Sequence, residues 1–183
     1  MLVSGQSKLE VPTYCFPPLR ILSRIGLGSL PIPAQSQKSV FNRIIGDSQL
    51  ELRFAAFLED CGDVVSYAKN YLAVHFKLDY VNADGDISNY DPDFIVKLSD
   101  TRIAIVETKG QEDLDVPLKM ARLRQWCEDI NRVQTDVEYD FVYVDEESFA
   151  KYKPTSFRQL MDGFKEYKGV PQANAAAGPQ EQE

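Results

Sequence analysis

Acidic residues and a lysine stand at the ends of two neighbouring apolar segments. In the stretch YDPDFIVKLSDTRIAIVETKGQ, Asp93 comes directly before FIVKL, and Glu107 and Lys109 close RIAIVETK. Carboxylate oxygens are the ligands that hard divalent cations prefer, and a lysine beside such an ion can hold a water molecule or a phosphate oxygen. This set of residue types is suited to metal-assisted hydrolysis of a phosphodiester bond.

A hairpin is the element that must bring these residues together. Both apolar segments predict strands, and Ser99-Asp100-Thr101 predicts a tight connection between them. If the connection is centred on Asp100, antiparallel partners are the positions that sum to 200, so Asp93 lies directly opposite Glu107. Lys109 shares a face with Glu107, because alternate side chains of a strand point the same way. The apolar floor behind them is predicted to consist of Ile95, Ile103 and Ile105.

Two carboxylates directly opposite each other on paired strands repel, which destabilises the pair unless something compensates. We expect Mg²⁺, with Mn²⁺ as a possible substitute, to bind Asp93, Glu107 and the main-chain carbonyl of Thr108, with water in the remaining positions. Lys109 is expected to orient the attacking water or the phosphate. It could act as a base only if its pKa were strongly depressed. The plain alternative is ordinary surface charge, because short P-D and E-x-K patterns also arise by accident.

A helix is predicted before the hairpin. Asp47 or Ser48 can cap its start, an apolar stripe follows, and Cys61-Gly62 ends it. Glu51 stands three residues after Ser48, where it either completes a capping box or contributes an acid to the site, and the sequence leaves both open.

The remaining elements predict an α/β domain with a central mixed sheet flanked by helices. Lys69 and Asn70 lie between two predicted strands, where a turn is the default assignment and the alternative is that they fix a strand end or contact the backbone of DNA. The alternation in AVHFKLDY puts His75 on a strand surface, which argues against a catalytic histidine. The predicted elements are strands at 64–67 (VVSY), 73–80 (AVHFKLDY) and 138–144 (EYDFVYV), a turn at 82–86 (NADGD), and helices at about 114–133 and 156–167.

Composition divides the 183 residues into a lead-in segment at 1–40, a folded domain at 41–168 and a disordered tail at 169–183. In the lead-in, VPTYCF predicts a short strand and LRILSRIGL a short helix. Twenty-eight acids against 20 bases give a formal charge of −8, which argues against a protein that holds duplex DNA by charge alone. There is no basic leader, no long apolar run and no CxxC pair, so we expect a cytoplasmic protein without a membrane segment or a disulfide framework.

The motif also supports a family resemblance. Pro92-Asp93, followed after thirteen residues by Glu107-Thr108-Lys109, resembles the PD-(D/E)XK nuclease signature. The wider string from SQLELRFAAFLED through NYDPDFIV and AIVETKG to LKMARLRQWC resembles, over about residues 42–145, the carboxy-terminal endonuclease domain of type III restriction enzyme restriction subunits. The resemblance implies a restriction-endonuclease-like fold and Mg²⁺ bound by Asp93 and Glu107. It also implies that Lys109 acts on the attacking water. It also implies an assisting acid on the first helix, a position that Glu51 matches.

The resemblance further implies DNA as substrate, and a helicase-like motor or a modification methyltransferase subunit as partner. This chain has no GxxxxGK[ST] motif, so no ATP site is expected in it. Two alternatives remain at this stage. One is a catalytically inactive nuclease fold that serves as a DNA-binding or docking module. The other is a nuclease that cuts single strands, flaps or RNA instead of duplex DNA.

Overall fold

The computed structural model describes residues 20–23, 38–41, 43–71, 74–111 and 113–164. The elements in these ranges are β1 (Arg20–Ser23), β2 (Arg43–Gly46), α1 (Gln49–Asp60), β3 (Ser66–Lys69), β4 (Leu78–Val81), β5 (Ile87–Tyr90), β6 (Phe94–Ser99), β7 (Arg102–Lys109), α2 (Val116–Val133), β8 (Glu138–Asp145), α3 (Glu146–Tyr152) and α4 (Phe157–Phe164). None of the described helices combines the length and the hydropathy of a transmembrane span.

A four-stranded mixed sheet in the order β3-β6-β7-β8 forms the centre of the domain. The pairs β3–β6 and β6–β7 are antiparallel, whereas β7 and β8 are parallel. A parallel pair needs a crossover connection, and α2 supplies it. Helices α1 and α4 pack on one face of the sheet, and α2 with the hairpin β4–β5 packs on the other. The predicted α/β architecture with a mixed sheet flanked by helices is confirmed.

The register of the central hairpin agrees with the sequence-based prediction. Phe94 pairs with Val106 and Ile95 with Ile105, so these partners sum to 200, and the register shifts only beyond Lys97, next to the turn. β7 is an interior strand whose side chains alternate between the two cores, which explains its continuous apolar sequence. Of the predicted apolar floor, Ile105 is buried and Ile95 and Ile103 pack against the same core.

Helix α1 begins and ends where predicted. Ser48 is its N-cap and accepts a hydrogen bond from the backbone N–H of Glu51 (3.1 Å), and Cys61 is its C-cap. Its buried side includes Phe54 and Leu58, which face the central sheet. The first turn of α1 is therefore fixed next to the sheet, and Glu51 lies in that turn.

The strand assignments on either side of Lys69 need correction. β3 runs over 66–69 and not 64–67, so Val65 is exposed and Lys69 is buried within the strand. Of the predicted strand 73–80, only Leu78 to Tyr80 is extended in β4. The amide of Asn70 binds both the backbone N–H (3.1 Å) and the carbonyl (2.7 Å) of Phe76, which closes a loop across these residues. His75 lies in this loop with a positive φ of 51°, not on a strand.

The lead-in also differs from its prediction where it is described. Arg20–Ser23, expected to be helical, form β1, which pairs in parallel with β2. The pairing partner is more than twenty residues away, so local helix propensity did not reveal it. The predicted strand at 11–16, the end of the last helix and the tail at 169–183 lie outside the described residues. β2, β5 and α3 were not predicted, and the domain boundaries remain predictions.

Candidate active site

Asp93 lies directly before β6, and both of its carboxylate oxygens are held. Oδ2 accepts hydrogen bonds from the backbone N–H (2.9 Å) and the hydroxyl (2.7 Å) of Thr108 on the adjacent strand. Oδ1 accepts a hydrogen bond from Lys69 Nζ at 2.7 Å. Charge-assisted contacts of this kind fix a carboxylate in one orientation. Asp93 is thus a preorganised group at the end of the central hairpin.

Glu107 lies near Asp93 on β7, as the register predicts. Its side chain is buried, and the hydroxyl of Tyr90 donates to its Oε2 at 3.0 Å. Burial raises the pKa of Glu107 well above its ordinary value, and the negative charge of Asp93 raises that pKa further. The structure therefore holds two carboxylates close together where water cannot screen their repulsion.

Lys69 is the residue that the sequence-based prediction misplaced. It is only 5% exposed, and its Nζ bridges Asp93 Oδ1 at 2.7 Å and Glu51 Oε2 at 3.1 Å. Burial alone would lower the pKa of Lys69, but the charges of Asp93 and Glu51 outweigh burial and raise it. Lys69 is therefore charged at neutral pH, as a buried ammonium between two carboxylates should be.

Glu51 makes contacts towards both the start of α1 and Lys69, although its side chain binds the N–H of Asp47 and not that of the N-cap Ser48, as a capping box would. Its Oε2 accepts a hydrogen bond from the backbone N–H of Asp47 at 2.9 Å, which ties the chain before α1 to the helix. The same oxygen pairs with Lys69. Burial, and then the charge of Asp93, raises the pKa of Glu51 although Lys69 opposes the shift. One ammonium shared by two carboxylates cannot neutralise both.

Lys109 lies at the outer edge of the site. Its Nζ pairs with Asp113 Oδ2 at 3.0 Å, in a contact that is partly open to solvent. Burial would lower the pKa of Lys109, but the hydrogen bond to Asp113, helped by the charge of Glu107, raises it. The raised pKa of Lys109 favours its protonated form, which can donate hydrogen bonds.

The donor set fits a hard divalent cation. When Glu51, Asp93 and Glu107 are ionised, three negative charges against the single ammonium of Lys69 leave a formal charge of −2. Among the described residues, no three His, Cys, Asp or Glu side chains form a ready-made metal cage. Mg²⁺ does not need one, because it typically binds one or two carboxylates and keeps several waters.

An open cleft of about 280 Å³ leads to Asp93 from the side of β3. Its walls combine acidic groups with basic and aromatic ones, and it is lined by Asp47, Lys69, Asn70, Tyr71, His75, Lys77, Asp91 and Asp93. Of the acidic residues described above, Asp93 lines this cleft. Lys77 is an exposed cation in its lining that can contact an anionic group.

A comparison with family models identifies the domain. The model described as "Endonuclease domain" matches residues 37–147, which is more than half of the chain and includes all the site residues described above. The chain belongs to the endonuclease domain family. Searches among curated proteins and among solved structures found no match. The chain is a restriction-endonuclease-like nuclease domain, and DNA is the substrate that an endonuclease domain implies.

The endonuclease domain brings the predicted residues together unequally. Asp93, Glu107 and Thr108 are direct neighbours, Glu51 joins them through Lys69, and Lys109 stands at the edge. The sequence-based prediction missed the roles of Lys69, Tyr90 and Asp113. Lys69 could have been found by extending the alternation of the strand: Tyr67 is buried, so the residue two positions later faces the same core.

Proposed function

We propose that this endonuclease domain hydrolyses phosphodiester bonds of DNA in a Mg²⁺-dependent reaction, at a PD-(D/E)XK-type site made of Asp93, Glu107 and Lys109. The observation that carries the proposal is the burial of Glu107 beside Asp93, which raises the pKa of Glu107 well above its ordinary value. Such a like-charged pair destabilises a fold, and carboxyl groups with strongly perturbed pKa values are concentrated at functional sites.

The metal site would use the carboxylates of Asp93 and Glu107 and the main-chain carbonyl of Thr108, and Mn²⁺ could substitute for Mg²⁺. Bound there, the ion would supply charge stabilisation at a phosphate oxygen and a lowered pKa for a water molecule. The chain's own contribution is orientation. Thr108 holds Asp93 through two hydrogen bonds, and Tyr90 holds Glu107 through one.

Lys109 would orient the attacking water or a phosphate oxygen by donating hydrogen bonds. Its raised pKa keeps it protonated, so its part is that of a donor. Asp113 holds the ammonium at 3.0 Å and keeps it near the end of β7 until a phosphate arrives. Glu51, in the first turn of α1, would assist by pairing with the ammonium of Lys69, which also binds Asp93.

The resemblance to type III restriction enzymes supports a finer proposal. We infer that the domain serves restriction of DNA in the cytoplasm, together with a helicase-like motor, a modification methyltransferase subunit or both. The formal charge of −8 of the whole chain supports the need for a partner, because a chain with net negative charge has no net attraction for DNA. A gene for such a motor or methyltransferase beside the gene of this chain supports the restriction role, and an isolated gene argues against it.

Plasmid cleavage tests the proposed reaction. Wild-type protein with Mg²⁺ should nick or linearise supercoiled plasmid, and EDTA should stop it. Asp93→Asn and Lys109→Ala should each lower the rate by about 100-fold or more. Lys97→Ala, near the opposite end of β6, is the control and should cleave normally. Single-stranded, flap and RNA substrates compared at equal salt show which nucleic acid is cut best.

The observation that favours the alternative function concerns Asp93. Both of its oxygens already accept hydrogen bonds from Lys69 and Thr108, as in a site stabilised without a metal. This arrangement would suit an inactive nuclease fold that serves as a DNA-binding or docking module. Absence of Mg²⁺-dependent cleavage, even with the motor and modification partners present, would favour that alternative.

A further inference from the structure

We propose that Lys69 takes the place of a second metal ion, so that the site binds one divalent cation instead of two. The inference rests on the proposed metal-dependent function and specifies the composition of the same site. It assigns Lys69 as a positioning residue, because its ammonium acts through the carboxylates that it bridges.

The geometry places Lys69 where a bridging cation would stand. Asp93 is the middle acid: the hairpin register sets it across from Glu107, and Lys69 links its Oδ1 to Glu51. A first ion between Asp93 and Glu107 leaves the gap between Asp93 and Glu51 as the position for a second. Lys69 Nζ fills that gap at 2.7 Å from one carboxylate and 3.1 Å from the other.

The charge balance leads to the same stoichiometry. When Glu51, Asp93 and Glu107 are all ionised, the ammonium of Lys69 leaves a formal charge of −2, which one divalent ion neutralises. A second divalent ion would leave an excess of positive charge in a buried site, at a high cost. Lys109 does not alter this balance, because Asp113 neutralises it outside the cluster.

Lys69 is also held firmly in its position. It pairs with Phe94 in the ladder between β3 and β6, and its ammonium lies over the ring of Phe94 at 5.1 Å from the ring centre. The next residue, Asn70, donates its backbone N–H to the carbonyl of Asp93 at 2.7 Å. An ammonium anchored on both sides does not move aside readily for an incoming ion.

Calorimetric titration of the full chain with Mn²⁺ and with Mg²⁺ tests the inference. Wild-type protein should bind one ion per chain, and Lys69→Arg, which keeps the charge, should also bind one. Lys69→Gln should bind two, because the gap between Glu51 and Asp93 is then open. Lys97→Gln, the same substitution near the far end of β6, should bind one. Circular dichroism confirms that each variant is folded.

Two ions bound to the wild type, or a single ion bound to folded Lys69→Gln, would overturn the inference while leaving the metal-dependent function intact. No binding to the wild type would overturn both. If Lys69→Gln does not fold, Glu51→Gln decides. A single ion with affinity within about threefold of wild type supports the inference, whereas loss of an ion or a larger drop shows that Glu51 is a metal ligand.

Discussion

The buried carboxylate of Glu107 destabilises the fold that contains it. It is 8% exposed, close to Asp93, and has one hydrogen bond from the hydroxyl of Tyr90. A carboxylate in these surroundings is retained at a cost in free energy, which a bound cation can offset. Thr108 shows the opposite case, since its N–H and hydroxyl both stabilise Asp93.

Replacing Glu107 should therefore stabilise the metal-free protein. Glu107→Gln keeps the shape and the acceptor for Tyr90 but removes the buried charge, so the free energy of unfolding in EDTA should rise by about 0.5–2 kcal/mol. Urea denaturation measures this difference. Glu128→Gln, an exposed substitution on α2, is the control and should change stability by less than about 0.5 kcal/mol.

The stability gained by Glu107→Gln should increase as pH rises. Folding raises the pKa of the Glu107 carboxyl group, so ionisation of this group lowers the free energy of unfolding. This loss of stability is absent below the ordinary pKa of 4.5 and grows as pH rises through the raised value. The gain from Glu107→Gln should be small at about pH 5 and largest at about pH 8. A gain that is independent of pH would contradict the assignment of a buried, ionisable Glu107.

At the scale of elements, the hairpin β6–β7 was predictable because its determinants are local. Two apolar segments joined by a short turn set the register, and the register placed Asp93 opposite Glu107. The edge strand β3 was not predictable in the same way. Its apolar Val65 is exposed and its charged Lys69 is buried, because the partners of Lys69 are remote in sequence, with Asp93 lying 24 residues away.

The candidate site was predictable to the extent that local patterns determine it. The pair Asp93–Glu107 and the start of α1 follow from spacing and capping. The loop between β3 and β4 does not, because the side chain of Asn70 replaces strand pairing by binding the backbone of Phe76. That loop carries His75 into the cleft, where a continuous strand would have placed it on a sheet surface.

The N-cap of α1 should matter for stability. Ser48→Ala removes the acceptor for the N–H of Glu51, so the free energy of unfolding should fall by about 1 kcal/mol. Ser48→Asn keeps a capping acceptor and should stay close to wild type. Thermal denaturation followed by circular dichroism compares the two. Equal losses in both variants would show that the hydroxyl does not act as a cap.

At the scale of the whole molecule, the site lies where the two cores meet at one end of the sheet. Phe94 and Val106 belong to the core under α1, whereas Tyr90 and Ile105 belong to the core under α2. Asp93 directly precedes Phe94 and Glu107 directly follows Val106, so both acids adjoin buried core residues. The predicted fold class is confirmed at this scale, and the acidic balance leaves DNA affinity dependent on local patches.

Lys77 is the cleft residue at which the contribution of a local positive charge to DNA affinity can be measured. Lys77→Ala should weaken DNA binding and reduce the slope of log affinity against log salt by about 1, because one phosphate contact is lost. The Asp93→Asn background prevents cleavage during a fluorescence anisotropy titration. Lys97→Ala in the same background should leave the slope unchanged. An unchanged slope in Lys77→Ala would show that DNA does not enter this cleft.

Anomalous diffraction from a crystal soaked in Mn²⁺ locates the ion itself and so shows whether Asp93 and Glu107 bind a metal. We expect an anomalous peak within about 2.0–2.3 Å of a carboxylate oxygen of Asp93 and of Glu107, and loss of that peak in crystals of Glu107→Gln. Wild-type crystals without a peak between these two residues, or with the ion bound elsewhere, would contradict this expectation.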